Sequence, residues 1–324
     1  MNGNTPQSRL FSIIALLAAT LLTISPTHAE DCDRACLEGL MDQFLTALET
    51  RDASALPLTA DIRYTENGQT MALNDGLWKT FSKNSTYRLH VSDPVAGQIA
   101  FLGVIGENEE QIIAHFRMKV VDKKIAEVEA LLARNTRMSK LENLQEPRPI
   151  FLETLPPEQR SGRKEMVAIT DSYFTGLDTE ESGANVPFDE NCQRQENGMI
   201  LANSPDPEAS PMQKLGCKAQ FDTGFSTIVT DVRERRFMVL DEERGLSYAI
   251  IFFDHNGTPK TMGTVGGAQV EVRSPYNRPS TIMIGELFKI VNGKIRQIEA
   301  IIVSVPYGMP SGWNGVDLVS LGQL

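Results

Sequence analysis

Apolar residues recur at helical spacing in two stretches of the chain. From 35 to 52, "ACLEGLMDQFLTALETRD" sets Leu37, Leu40, Phe44, Leu45 and Leu48 on one face, the period of a helix with one buried side. From 164 to 178, "KEMVAITDSYFTGLD" does the same with Met166, Val167, Ile169, Tyr173 and Leu177. Elsewhere the pattern changes to alternation or short apolar runs between turn residues, which predicts strands. "FRMKV" and "LFKI" each lead through a tight turn into an alternating segment, "VDKKIAEVEALL" at 121–132 and "VNGKIRQIEAII" at 291–302. Each predicts a closing β-hairpin.

The two patterns are copies of one another. "MDQFLTAL" aligns with "TDSYFTGL", the closing hairpins align without a gap, and between them Glu-Asn-Gly occurs in "RYTENGQT" at 63–70 and in "CQRQENGMI" at 192–200. Three collinear matches indicate an internal duplication. The expected organisation is a first unit over 30–138, a linker over 139–162 rich in proline and charge, a second unit over 163–313 and a tail over 314–324. The second copy is longer, with added segments around Cys217 and in "GTPKTMGTVGGAQ".

A chain of 324 residues, 41% hydrophobic, can bury a sizeable core. Its net charge of −11 argues against nucleic acid or an anionic membrane as partner. Residues 1–29 read as a secretory signal: Arg9, an apolar run from Leu10 to Leu22, and Thr-His-Ala ending at Ala29. A retained anchor is the alternative; export makes the mature protein secreted or periplasmic. In that compartment the four cysteines favour pairing, as Cys32–Cys36 one helical turn apart and Cys192–Cys217 within the second unit. Cross-pairing or free thiols in the first pair compete with this. The histidines lack metal-site spacing, so neither metal nor cofactor is expected.

The order of helix, Glu-Asn-Gly strand and closing hairpin "FKIVNGKIRQIEAIIV" resembles the nuclear-transport-factor-2-like cone fold shared by ketosteroid isomerases, scytalone dehydratase and SnoaL-like polyketide cyclases. More narrowly, "CDRACLEGLMDQFLTAL", "DEERGLSYAIIFFDH" and "VPYGMPSGW" are similar to a family of secreted, largely uncharacterised fungal and bacterial proteins with two such units. The resemblance implies an α+β fold of two cones, each a curved antiparallel sheet wrapped on N-terminal helices around a mostly apolar pocket. The partner is then a small apolar or aromatic molecule.

The same resemblance puts Tyr173 where ketosteroid isomerases carry an oxyanion-binding tyrosine, and Glu196 within a residue of their proton-transfer carboxylate. Alternation puts Glu286 on an inward face with Ile284, Phe288 and Ile290, and Arg194 on the face of Glu196. Tyr173, Glu196 and Glu286 are therefore the candidate catalytic groups, with Arg194, Asn197, Phe288, Glu66 and His115 as candidate binding residues. The first copy has Phe44 and Phe116 where the second has Tyr173 and Glu286, which leaves Glu66 without those partners. His115 is a further candidate base. Against these stand bland readings: Glu66 and Glu196 fix the Asn-Gly turn, and Tyr173 is a helix residue with a satisfied hydroxyl. The expected function is a cofactor-independent lyase or isomerase in the second unit. A non-catalytic binding module is the alternative, as is a structural module whose cones pack sheet to sheet as a pseudo-dimer within one chain, with a homo-oligomer also open.

Overall fold

The computed structural model describes residues 1–3, 32–134, 139–178 and 183–313; the expected signal segment over 1–29, beyond its first three residues, and the expected tail over 314–324 lie outside these. Two α+β units follow one another. The first comprises α1 (Arg34–Thr50), β1 (Leu58–Glu66), β2 (Gln69–Met71), α2 (Leu77–Thr80), β3 (Phe81–Asp93), β4 (Gln98–Glu107), β5 (Glu110–Val121) and β6 (Lys124–Ala133). A connecting segment carries the short α3 (Pro149–Leu152). The second unit repeats the plan in α4 (Arg163–Asp178), β7 (Phe188–Glu196) and β8 (Met199–Ala202). It then adds α5 (Pro211–Lys214) and α6 (Cys217–Phe221) before β9 (Asp231–Asp241) and β10 (Leu246–His255). A small hairpin, β11 (Thr261–Gly263) with β12 (Gln269–Glu271), precedes β13 (Ser280–Val291) and β14 (Lys294–Val305).

Each unit holds a six-stranded sheet, in the order β2-β1-β6-β5-β4-β3 and β8-β7-β14-β13-β10-β9. The sheets are mixed rather than wholly antiparallel. β1 runs parallel to β6 and β7 parallel to β14, because a long excursion separates the members of each pair. Register shifts fall at equivalent places, Lys119/Val120 and Lys289/Ile290. Such bulges bend and coil a strand.

α1 buries Leu37, Met41, Phe44, Leu45 and Leu48 against the inner face of its sheet, where Tyr64, Phe101, Phe116 and Leu132 meet it. α4 does the same with Met166, Tyr173, Phe174 and Leu177 against Ala249, Ile251, Ile284 and Phe288. The outer faces are buried as well. Leu89, Leu102, Ile113 and Leu131 of the first sheet pack against Tyr248, Ile250, Met283 and Leu287 of the second, with Phe151 of α3 in the same cluster. Burial on both sides explains why β4 and β10 read as nearly continuous apolar runs.

Equivalent residues meet reciprocally across this interface. Arg34 of α1 forks onto Asp241 at 2.7 and 2.9 Å, while Arg163 of α4 forks onto Asp93 at 2.9 and 2.8 Å. Buried Glu129 accepts from Arg236 of the other unit at 2.9 and 2.7 Å. Its counterpart Glu299 accepts from Tyr87 of the first unit and, at 3.2 Å, from Arg148 of the connecting segment. Burial alone would raise the Glu129 carboxyl, but Arg236 and then Arg117 outweigh it and hold it below its ordinary range.

The repeated Glu-Asn-Gly is a structural corner. In both copies Asn and Gly take positive φ, 46° and 81°, which makes a two-residue hairpin between Glu66 and Gln69 and between Glu196 and Met199. The asparagine side chain then extends the sheet. Asn67 accepts from Leu132 N at 2.8 Å and donates to Leu132 O at 3.1 Å, and Asn197 does the same with Ile302 at 2.9 and 3.2 Å.

Each corner is covered by the segment that follows the other unit's last strand. Lys140 N donates to Asn197 O at 3.0 Å and Asn143 Nδ2 to Gly198 O at 2.8 Å. On the first corner lie Met309 to Trp313: Trp313 Nε1 donates to Thr65 Oγ1 at 3.0 Å, with Arg63 and Arg117 4.4 and 4.5 Å from its ring centre. A side chain on Gly198 would sit 2.2 Å from the Lys140 carbonyl, and one on Gly68 would sit 2.7 Å from Met309. Glycine is favoured at both by φ, and at Gly198 it is required as well by the approach of the Lys140 backbone.

Candidate functional site

The inner face of the second sheet carries a polar cluster within its aromatic core. β13 alternation turns Glu286 inward with Ile284, Phe288 and Ile290, and α4 delivers Tyr173 from the opposite wall. The Tyr173 ring lies 5.1 to 6.2 Å from the rings of Phe174, Phe188, Phe221 and Phe288. β7 supplies Arg194, which donates to the Tyr173 hydroxyl at 3.3 Å and to Gln220 Oε1 at 2.9 Å. Arg194 Nε is 3.3 Å from Glu196 Oε1, close enough for charge pairing but not aligned for a hydrogen bond. The Arg194 guanidinium also lies 5.4 Å from the Phe225 ring centre.

Tyr173 and Glu286 are each 2% exposed, whereas the Glu196 side chain is 20% exposed, so Glu196 marks the side nearer solvent. Burial first, and then the Glu196 charge, push Glu286 up to about 8; Arg194 and a hydrogen bond with Tyr173 pull the other way and lose. Glu286 is thus largely protonated near neutral pH, and its Oε2 has no hydrogen-bond partner among the described residues. Burial and Glu286 hold the Tyr173 phenol far above its usual range. The group can donate hydrogen bonds from two un-ionised oxygens and accept a proton at a carboxylate paired with arginine.

Of the residues singled out in the sequence, Tyr173, Arg194, Glu196, Glu286 and Phe288 come together here. The others do not. Asn197 belongs to the corner turn. Glu66 accepts from the Tyr64 hydroxyl at 2.6 Å and from Leu77 N, the first residue of α2, at 2.5 Å, with Arg134 3.5 Å away. Its carboxylate is held by its own unit, while Phe44 and Phe116, at the places of Tyr173 and Glu286, pack edge to face against each other. His115 lies between the two sheets rather than in either inner core. It is 2% exposed, with Nδ1 3.4 Å from the Tyr248 hydroxyl, and burial drives its pKa down to about 3. A neutral imidazole sealed between sheets is not placed to act as a base.

The segments that lengthen the second unit converge on the cluster. The Cys192–Cys217 disulfide ties α6 to β7, so that Gln220 meets Arg194 while Phe221 and Phe225 line the wall. Cys32–Cys36 staples the start of α1. The loop between β10 and β13 lays Met262 and Tyr276 against the same core. Gln220, Phe225 and Tyr276 escape sequence reasoning, since the first copy has no counterpart; the spacing of Cys192 and Cys217 is the one clue that α6 returns to β7. A surface cavity of about 320 Å³ behind α4, lined by Asp171, Ser172, Thr175 and Asn185, includes none of the cluster residues. Among the described residues no group of histidine, cysteine and acidic side chains is arranged to hold a metal, and no helix is long and apolar enough to cross a membrane.

Residues 159–302 match the family described as a domain of unknown function, DUF8021. No curated protein matches the sequence. Similar solved structures include a SnoaL-like polyketide cyclase from Agrobacterium tumefaciens strain C58, 18% identical, covering 43% of this chain and 91% of that one, TM-score 0.25. AclR from Streptomyces galilaeus is 14% identical, covering 50% and 99%, TM-score 0.28. A de novo designed protein with a curved β-sheet is 13% identical, covering 33% and 92%, TM-score 0.26. At these scores the likenesses carry no functional weight.

Proposed function

We propose that the second unit processes a small apolar or aromatic molecule by general acid and base chemistry without a cofactor, as an exported lyase or isomerase of the dehydratase kind. The observation that supports this most is Glu286, a buried acid beside a phenol and a second carboxyl, with one oxygen that finds no partner among the described residues. Such a group costs stability, and the first copy fills the same position with Phe116.

In a dehydration, Glu196 takes the proton from the carbon next to a carbonyl, and Tyr173 donates to the carbonyl oxygen as negative charge grows there. Glu286 gives its proton to the departing hydroxyl, water leaves with the C–O electron pair, and a C=C bond remains. Solvent at the Glu196 side returns both carboxyls to their starting states. Arg194 holds Glu196 and the Tyr173 oxygen in one frame.

A rival reading is a non-catalytic binding module, favoured by the number of aromatic rings around Tyr173 and by the bonds Arg194 already makes within the protein. The deciding experiment measures turnover of β-hydroxy ketones and phenolic alcohols by the wild type, Tyr173→Phe and Glu286→Gln. The catalytic reading expects each substitution to lower kcat by about 10²-fold or more. Ligand binding without turnover, with both substitutions changing affinity alone, sinks it.

A further inference from the structure

Along β10, Ala249, Ile251 and Phe253 face the inner core of the second unit, and His255 is the next residue on that face, at the end of the strand. It pairs with Ser280 as Phe253 pairs with Ile282. His255 is 1% exposed, yet its Nδ1 has no hydrogen-bond partner among the described residues. The inward residues before it on this strand are apolar, while Ser280, paired with it across the sheet, carries a second buried atom, Oγ, without a partner among the described residues; two such atoms side by side are costly to keep without a use. Burial lowers its pKa, with Asp254 and the Ser280 and Phe253 backbones opposing, so the ring is neutral at neutral pH and offers one donor and one acceptor.

Tyr276 covers this ring at a centroid distance of 4.7 Å and an angle of 38°. It comes from the excursion over 256–279, for which the first unit has only the short turn at Asn108 and Glu109. The excursion is firmly seated. Val272 is 3% exposed and donates to Lys260 O at 2.9 Å, and a side chain on Gly263 would fall 1.5 Å from the Thr223 carbonyl. Tyr276 also lies near enough to Glu196 for that charge, after burial, to raise the phenol's pKa.

Resting on the catalytic-site reading above, we propose that His255 and Tyr276 form an outer binding station of the second unit, selecting planar aromatic ligands that carry a hydroxyl or carbonyl group. The ligand ring lies against Tyr276 and its oxygen bonds to His255 Nδ1, while the remainder reaches toward Glu196 and Glu286.

The test is calorimetric or fluorescence titration of the full chain with 2-naphthol and with naphthalene. The wild type should bind 2-naphthol about tenfold more tightly, the scale of one buried hydrogen bond. His255→Phe should abolish that preference while keeping naphthalene affinity. His255→Asn, whose amide reaches close to the Nδ1 position, should restore most of it, and Tyr276→Ala should weaken both probes. A preference that survives His255→Phe, equal binding of the two probes, or no binding of either overturns the station. Turnover lost in Glu286→Gln with no His255-dependent preference sinks the station alone. A His255-dependent preference without turnover of any substrate sinks the catalytic reading and leaves the station standing.

Discussion

Glu286 sets a pH dependence opposite to that of an ordinary salt-bridged carboxylate. Its pKa rises from 4.5 to about 8 on folding, so between those values the native state holds a proton that the unfolded chain releases. Stability therefore falls as pH rises through that window and levels off above it. Glu286→Gln removes this slope, and its melting temperature should exceed the wild type's by a margin that widens from pH 5 to pH 8, at roughly 2–4 °C per kcal/mol. Thermal melts of both proteins across that range check this; parallel curves would mean that the carboxyl ionises in place. Strand alternation makes the inward direction of Glu286 legible in sequence. The same reasoning cannot orient His115, because β5 is buried on both faces and has no solvated side to separate inner core from interface. His255 is hidden for another reason: a histidine followed by Asn-Gly-Thr reads as part of a turn, and only the folded excursion brings Tyr276 over it.

At the scale of elements, the Asn-Gly corner shows what a repeated motif can mean. Asn197→Ala leaves the left-handed conformation strained and removes both side-chain bonds to Ile302, which should cost about 2–3 kcal/mol in denaturant unfolding. Asn197→Gly keeps the turn but loses the bonds and should fall between, and a neutral Asn197→Ala would refute the strand-extending role. The Cys192–Cys217 bridge closes a separation of 25 residues; replacing both cysteines with serine should cost about 3 kcal/mol by chain entropy. Because α6 then loses its tether to β7, activity or ligand affinity should drop further than a distant substitution of equal ΔΔG would cause. Helices and closing hairpins are readable because their periodicity is local. The parallel pairings β1–β6 and β7–β14 are not, since no local pattern records which distant strand returns alongside.

For the molecule as a whole, the reciprocal pairs Arg34–Asp241 and Arg163–Asp93, with Glu129 and Glu299 between the sheets, tie the two units to one another. Two sheets sharing an apolar interface should unfold together, giving one transition by far-UV circular dichroism and by tryptophan fluorescence. Arg236→Met, which leaves Glu129 buried with Arg117 as its remaining cation, should lower stability by about 3–5 kcal/mol and shift that single transition intact. Separate transitions for the two probes would show independent units. The sequence reveals the duplication, yet the choice between cones joined by a tether and cones fused back to back depends on outward-facing residues that pattern alone cannot assign.

The crossing of the closing segments also bears on the order of events during synthesis. Trp313 fills its place on Thr65 between Arg63 and Arg117 only after the whole second unit has left the ribosome, on the order of ten seconds or more after β6 at ordinary elongation rates. Throughout that interval the first half must wait with an open corner and an uncovered sheet. A nascent chain arrested before Met309 should therefore be far easier for a protease to cut in the first half than the released protein.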